Sequence, residues 1–297
     1  MLNIAIQPRN FKSMKFQILF ILAFFTLFTA RAQTIADSIV LRDIPINRSA
    51  PAKMVELNIP SEGYKLQGLM YQASGSGLHP TIFLLHGFPG NERNLDLAQV
   101  LRANGWNVVY FNYRGAWGSQ GQFSFKNCVA DVVNAVHYIE RESVKYNVDT
   151  NNIVLFGHSM GGWVTLKSIQ LLPEIKKAFA LSTWDIAASF KQIKSENDLL
   201  AHPLKDFKDV FVLNTTYKNI FMPVVSNLTY YDLSQDAKQL ARKSIVVLDE
   251  HNKNEHIVKA IKKENGSNVL YLIWDTDHPF TNKRASLINT VLKFLNN

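Results

Sequence analysis

Gly157-His158-Ser159-Met160-Gly161-Gly162 is the stretch on which the reading of this chain turns. An apolar run, Asn152 to Phe156, precedes it, and a stretch of helical period follows. A serine on a strained turn between strand and helix needs small residues two positions before and after it, where the backbone crowds. Gly157 and Gly161 meet that need, so Ser159 is a candidate nucleophile, an ordinary serine on a strand-helix turn being the other reading that the spacing alone leaves open.

The elements around this turn alternate. Apolar alternation at Val55–Ile59 and Leu66–Met70 flanks Ser61-Glu62-Gly63 like a hairpin, and the run Thr81–Leu85 follows. Periodicity then predicts helix over 95–104, strand over 106–111, helix over 125–146, strand over 153–156, helix over 159–172 and strand over 177–182. After an interruption come strand 244–248, helix 255–264, strand 269–274 and helix 283–295. Strand-helix alternation of this kind implies a mostly parallel sheet covered on both faces, with ligands at the carboxyl ends of the strands. The interruption, residues 184–242, carries irregularly spaced apolar residues and many aromatics: Trp184, Phe190, Phe207, Phe211, Tyr217, Phe221, Tyr230 and Tyr231. It is too apolar for disorder and reads as a cap insertion, most of its aromatics packing it onto the body.

Acyl transfer by serine needs oxyanion donors, a histidine base and a carboxylate that holds the base in its useful tautomer. His86-Gly87-Phe88-Pro89-Gly90, after the strand ending at Leu85, can aim the Phe88 amide at an oxyanion beside the Met160 amide. His86 itself reads as packing the turn. His278 follows the last predicted strand within Asp275-Thr276-Asp277-His278-Pro279-Phe280, at the same sheet edge as Ser159.

These motifs, together with Asn112-Tyr113-Arg114-Gly115-Ala116-Trp117-Gly118-Ser119-Gln120-Gly121, resemble the α/β-hydrolase superfamily from about Lys53 to the C-terminus. The N-Y-R-G-x-x-x-S-x-G form is similar to the dipeptidyl-aminopeptidase/acylaminoacyl-peptidase-like and dienelactone-hydrolase-like branches. The resemblance implies an α/β-hydrolase fold of about eight strands, and a catalytic triad of Ser159, His278 and an acid in the loop after strand 244–248. That loop, Asp249-Glu250-His251-Asn252-Lys253-Asn254-Glu255-His256, departs from the family pattern: Asn252 falls where the aspartate usually stands, and no glycine precedes it. Asp249 is the expected acid, with Glu250, Asn252, Asp277 and Asp185 as further candidates.

The resemblance implies a serine hydrolase that needs no cofactor and takes a small-molecule ester or a short acyl-peptide. Ester hydrolysis is expected over peptide hydrolysis, because the peptidases of this resemblance usually carry a large N-terminal propeller. A non-catalytic binding protein on the same scaffold is the alternative that the unusual loop raises. The acids and histidines of that loop could in principle hold a metal, but His251 and His256 are five apart and share no helix face, so no metal site is expected.

Composition bounds the rest. Met14-Lys15, an apolar run from Phe16 to Phe28 and Thr29-Ala30-Arg31-Ala32 form the charged start, apolar centre and A-x-A end of a signal peptide, with cleavage before Gln33. Residues 1–32 are thus expected to be removed, 33–52 to lead in, and 53–297 to form the hydrolase domain, in the periplasm or outside the cell. The run is too short to span a membrane, so no stable insertion is expected of the mature chain. Residues 1–32 hold four of the basic side chains and no carboxylate, so the formal charge falls from +8 to +4 without them. The remaining Lys and Arg are scattered, which argues against a nucleic-acid partner. Cys128 is the only cysteine, so no intrachain disulfide supports the fold.

Overall fold

The computed structural model describes residues 43–202 and 211–296, and the fold belongs to the compact unit Pro45–Asn297. The signal-peptide reading of residues 1–32 lies outside the described residues, as does Phe207.

Eight strands form one sheet: β1 Lys53–Ser61, β2 Tyr64–Gln72, β3 His79–Leu85, β4 Asn107–Phe111, β5 Val148–His158, β6 Lys177–Leu181, β7 Ser244–Asp249 and β8 Val269–Ile273. Their order is β1-β2-β4-β3-β5-β6-β7-β8. β1 and β2 make an antiparallel hairpin, β2 runs antiparallel to β4, and every pairing from β4 to β8 is parallel. Glu62 (φ 45°) and Gly63 (φ 84°) form the two-residue hairpin turn, both in the left-handed region that matches the twist of the flanking strands. β4 is buried at every position, and β3 nearly so, as expected of parallel strands covered on both faces.

Among the described residues the numbered helices are α1 Leu95–Ala103, α2 Phe125–Arg141, α3 Met160–Ser168, α4 Ile186–Phe190, α5 Glu196–Ala201, α6 Tyr217–Ser226, α7 Leu228–Tyr231, α8 Ala237–Leu240, α9 Glu255–Lys263 and α10 Arg284–Asn296, and a single unnumbered turn, Ser143–Tyr146, follows α2. Two apolar clusters cover the two faces of the sheet. One holds Phe83, Val109, Leu155 and Val247 with α2, α3 and α9; the other holds Ile82, Val108, Phe156 and Leu248 with α1 and α10. Neighbouring residues along each strand thus enter opposite clusters, the period-two alternation of a strand.

The helix expected over 125–146 breaks at Glu142, and the one expected over 159–172 ends as an α-helix at Ser168 and tightens into a 3₁₀ turn at Ile169–Leu171. β5 begins five residues before the strand expected over 153–156, and its polar start is joined to the sheet by the His79↔Val148 pairing. The parallel strands β3, β5, β6, β7 and β8 all end at one edge, so the loops after them converge there.

Between β6 and β7 lie the short helices α4 to α8. Phe190, Phe221 and Tyr231 from this stretch are fully buried, Phe221 against Phe88 and Phe125, and Tyr231 stacked on Trp163 at 5.4 Å. Residues 212–214 pair with the loop after β4: Trp117 N–H donates to Val212 O (3.0 Å) and Asn214 N–H to Gly115 O (2.6 Å). These aromatics mostly pack the stretch onto the body, although Phe211 stays exposed.

Candidate active site

Ser159 links β5 directly to α3 with φ 60° and ψ −121°, a strained conformation that costs a serine on the order of 1–3 kcal/mol. Close packing holds it there. A Cβ on Gly157 would lie 2.0 Å from Gly161 O, one on Gly161 2.0 Å from Leu85 O, and one on Gly87 3.0 Å from Ser159 Cβ. Only bare backbone lets β3, β5 and α3 approach so closely. Ser159 N–H donates to Leu181 O (2.8 Å), continuing the β5–β6 ladder into the turn.

His278 lies beyond β8 and lines the same cavity as Ser159, a space of about 530 Å³ shared with Phe88, Ser182, Trp184, Asp185 and Lys253. His278 Nδ1 is 3.0 Å from Glu250 Oε1 and 2.7 Å from Ser182 Oγ. Ser182 donates its one hydroxyl proton to Glu250 Oε2 at 2.6 Å, and Lys253 Nζ donates to Ser182 Oγ at 3.1 Å and to Glu250 Oε1. Every acceptor around Nδ1 is thereby an oxygen lone pair, so Nδ1 carries a proton, and in the neutral ring this tautomer leaves Nε2 with the free pair that a general base requires. Burial alone would raise the Glu250 carboxyl, but hydrogen bonds from His278, Lys253 and Ser182 outweigh it and hold the group well below the usual carboxylate range.

It is Glu250, rather than the Asp249 expected from the sequence, that meets His278. β7 extends through Asp249, whose carbonyl accepts from Trp274 N–H (2.9 Å). Successive strand side chains point to opposite faces, so the carboxylates of Asp249 and Glu250 diverge. Asp249 is fully buried and accepts from Asn254 N–H (3.2 Å), Asn254 Nδ2 (2.8 Å) and Tyr271 OH (2.8 Å). Burial raises its carboxyl despite these bonds. It is a structural anchor for the loop into α9.

Asp185, Asp277 and Asn252 are likewise engaged away from His278. Asp185 caps α4 through Ala188 N–H (3.0 Å) and lies 3.2 Å from His256 Nε2. Asp277 accepts from Thr281 N–H (2.6 Å), and Asn252 accepts from Tyr271 OH (3.1 Å). Among the described residues, acids and histidines whose ligand atoms converge are found at His137, Glu140 and Glu174, not in the loop 249–256.

Three residues that the sequence reading did not single out surround His278 and Glu250. Two of them, Ser182 and Lys253, surround Glu250. The third, His158 inside the elbow motif, has its ring tilted against that of His278 (centroids 4.8 Å apart), and its Nε2–H donates to the His278 carbonyl (2.9 Å). Burial lowers its pKa to about 3, so it stays neutral and adds no charge beside the base. Ser182 had one visible signal, its place at the end of a parallel strand beside the elbow. Lys253 had none.

Phe88 lines the cavity, and Met160 opens α3, where a helix leaves its first N–H groups without intrahelical partners. His86 packs the turn as expected: it is buried, its Nδ1–H donates to Gly87 O (2.8 Å), its ring lies 4.4 Å from Tyr113, and burial lowers its pKa to about 4. The 112–121 motif acts on this loop from behind. Trp117 Nε1 donates to Pro89 O (2.7 Å), and Arg93 lies over the Trp117 ring while its Nε donates to Gly90 O. Arg114 is bound to buried Asp131 on α2 at 2.7 Å and to Glu62 in the β1–β2 turn, tying three elements together.

A nucleophile elbow after the central strand, a histidine after β8, a carboxylate after β7 and a parallel sheet of this order define an α/β-hydrolase. The sequence pattern of the family described as "Serine aminopeptidase, S33" matches residues 78–243, more than half of the chain, and the chain belongs to that family. It is similar to the lysophosphatidylserine lipase ABHD12 of Rattus norvegicus, with 31% identity over 123 residues that make up 39% of this chain and 30% of that one. The chain spans between 26% and 48% of the length of the curated relatives it matches. In fold it is similar to a brefeldin A esterase, a bacterial homologue of human hormone sensitive lipase (TM-score 0.62, 17% identity, 90% of this chain and 82% of that one). It is also similar to an acylaminoacyl peptidase of Pyrococcus horikoshii (TM-score 0.59, 15% identity, 88% and 42%).

Proposed function

We propose that this chain is an exported serine hydrolase that cleaves carboxylic esters through an acyl-enzyme on Ser159. The observation that carries the reading is the orientation of His278: Nδ1–H is committed to Glu250 and Ser182, while the ring and Ser159 line one cavity. In this reading Ser159 Oγ attacks the carbonyl carbon as His278 Nε2 takes its proton. The tetrahedral oxyanion is held by the Phe88 and Met160 amides and by the positive end of α3. His278 then protonates the departing alkoxide, and water, activated by the same imidazole, releases the acid. Glu250 holds the imidazolium in each step. No cofactor or metal takes part.

Esters are favoured because the cavity wall is largely apolar, with Phe88, Trp184 and Ala188 in the lining that it shares with Ser159. This suits an acyl chain, and the likeness to lysophosphatidylserine lipases supports the same substrate class. The family description favours a second reading, hydrolysis of a short peptide from its amino end. Turnover of p-nitrophenyl butyrate against aminoacyl-p-nitroanilides at matched concentration separates the two. Export rests on the signal-peptide pattern at Met14–Ala32; among the described residues no helix is long and apolar enough to cross a membrane.

The test of the nucleophile is labelling with a serine-directed fluorophosphonate. The wild type should label and Ser159→Ala should not; equal labelling of both, or none of the wild type, removes the enzymatic reading and leaves a binding protein on the scaffold.

A further inference from the structure

We propose that Lys253 is a positioning residue of this site that shares Glu250 Oε1 with His278 and so withholds part of the carboxylate's charge from the imidazole. The inference rests on the assignment of Ser159 as nucleophile and His278 as base. Lys253 stands three residues after Glu250 and its Nζ binds the same carboxylate oxygen that His278 Nδ1 reaches at 3.0 Å. Nζ also donates to Ser182 Oγ, which in turn donates to Glu250 Oε2. Four side chains thus close a ring in which one negative charge faces three donors: the Ser182 hydroxyl, the Lys253 cation and His278.

A catalytic carboxylate must hold the imidazolium that forms during reaction, but too strong a hold keeps the resting base protonated and idle. A cation on the same oxygen offsets this. The other charged and titratable groups near His278 cannot take that role. His158 on β5 is held neutral by burial, and Asp277, the preceding residue, is turned to Thr281 N–H. Arg284 at the start of α10 is bound to Asp96 and Asn94, and Asp185 across the cavity is occupied by Ala188 N–H and His256. Lys253 is the cation in contact with the acid, and it lines the cavity beside Ser159.

The experiment is the pH dependence of kcat/KM with p-nitrophenyl butyrate for the wild type, Lys253→Met, Lys253→Gln and Lys253→Arg. Both neutral variants should move the acidic limb to higher pH by on the order of one unit, the size expected for removing one charge from a partly solvated site. Lys253→Arg should keep the limb in place. Lys253→Gln retains a donor for Glu250, so a limb that shifts in Met but stays at its wild-type position in Gln assigns the effect to hydrogen bonding and overturns the proposal. An unmoved or lowered limb in both neutral variants overturns it as well. If Lys253→Met fails to fold, Lys253→Gln carries the test alone. Failure of the hydrolase reading shows separately, as absence of fluorophosphonate labelling at Ser159 in the wild type.

Discussion

Replacing Glu250 by Gln tests the acid assignment directly, because it removes a charge while keeping the shape that meets His278. Opposite unit charges at 3.0 Å interact by about 5.5 kcal/mol at an effective dielectric of 20, and by about half that at 40. The lower figure weighs more here, since the His278 side chain is half exposed and Lys253 shares the carboxylate. At about 1.4 kcal/mol per decade this is a loss of about 10²- to 10⁴-fold in kcat, and loss of the carboxylate in a comparable triad costs about 10⁴. Because hydrogen bonds from His278, Lys253 and Ser182 favour its ionised form in the folded state, Glu250→Gln should also lower the melting temperature. Asp249→Asn should lower stability without a comparable loss of activity. Its amide presents a donor toward Asn254 or Tyr271 in a fully buried site, which should cost about 1–3 kcal/mol of stability and less than tenfold in turnover. The assay is kcat/KM with p-nitrophenyl butyrate, paired with thermal melts to confirm that each variant is folded. A folded Asp249→Asn that loses a hundredfold or more, beside a Glu250→Gln within tenfold of wild type, would refute the assignment.

Three further outcomes are expected from the packing. His86 and His158 are held neutral by burial, with pKa values of about 4 and 3 against 6.5 when unfolded. Below pH 6.5 the unfolded chain therefore binds the extra protons, and stability is lost as the pH is lowered; between pH 7 and 5 each histidine should remove about 2 kcal/mol, so a denaturant midpoint that stays flat over this range contradicts the burial argument. Gly161→Ala forces a Cβ against Leu85 O and should abolish soluble expression or cost more than about 3 kcal/mol; a melt within a few degrees of wild type would show that the β3–α3 contact tolerates a side chain. Asp131→Ala leaves the buried Arg114 guanidinium without its main partner and should cost about 3–5 kcal/mol in chemical denaturation, with little change in fluorophosphonate labelling of whatever protein remains folded.

Much of the site was legible because its demands are local. Gly157, Ser159 and Gly161 announce the elbow through spacing alone, since a turn that crowds its neighbours excludes side chains two positions away. His278 was found by order: it follows the last strand, and parallel strands bring their ends to one edge. The sheet was legible for a similar reason, as strands buried on both faces read as continuous apolar runs such as Thr81–Leu85. The β1–β2 hairpin was legible from Glu62-Gly63 between alternating segments.

The acid was not legible, for a reason of geometry. Adjacent carboxylates at 249 and 250 differ in sequence by one position, but on a strand that position is the difference between opposite faces, and only the point at which β7 ends decides which face meets His278. The ring closed by Ser182 and Lys253 lies further beyond sequence reading, because it joins the ends of β6, β7 and β8, and their neighbourhood is set by sheet order, not by chain spacing. The sequence by itself determined the class of fold and singled out Ser159 and His278 as candidates, each through short-range sterics or strand order. The tertiary structure decided the partner of that base and the charge beside it, because strand termination and convergence at the sheet edge are properties of the packed molecule.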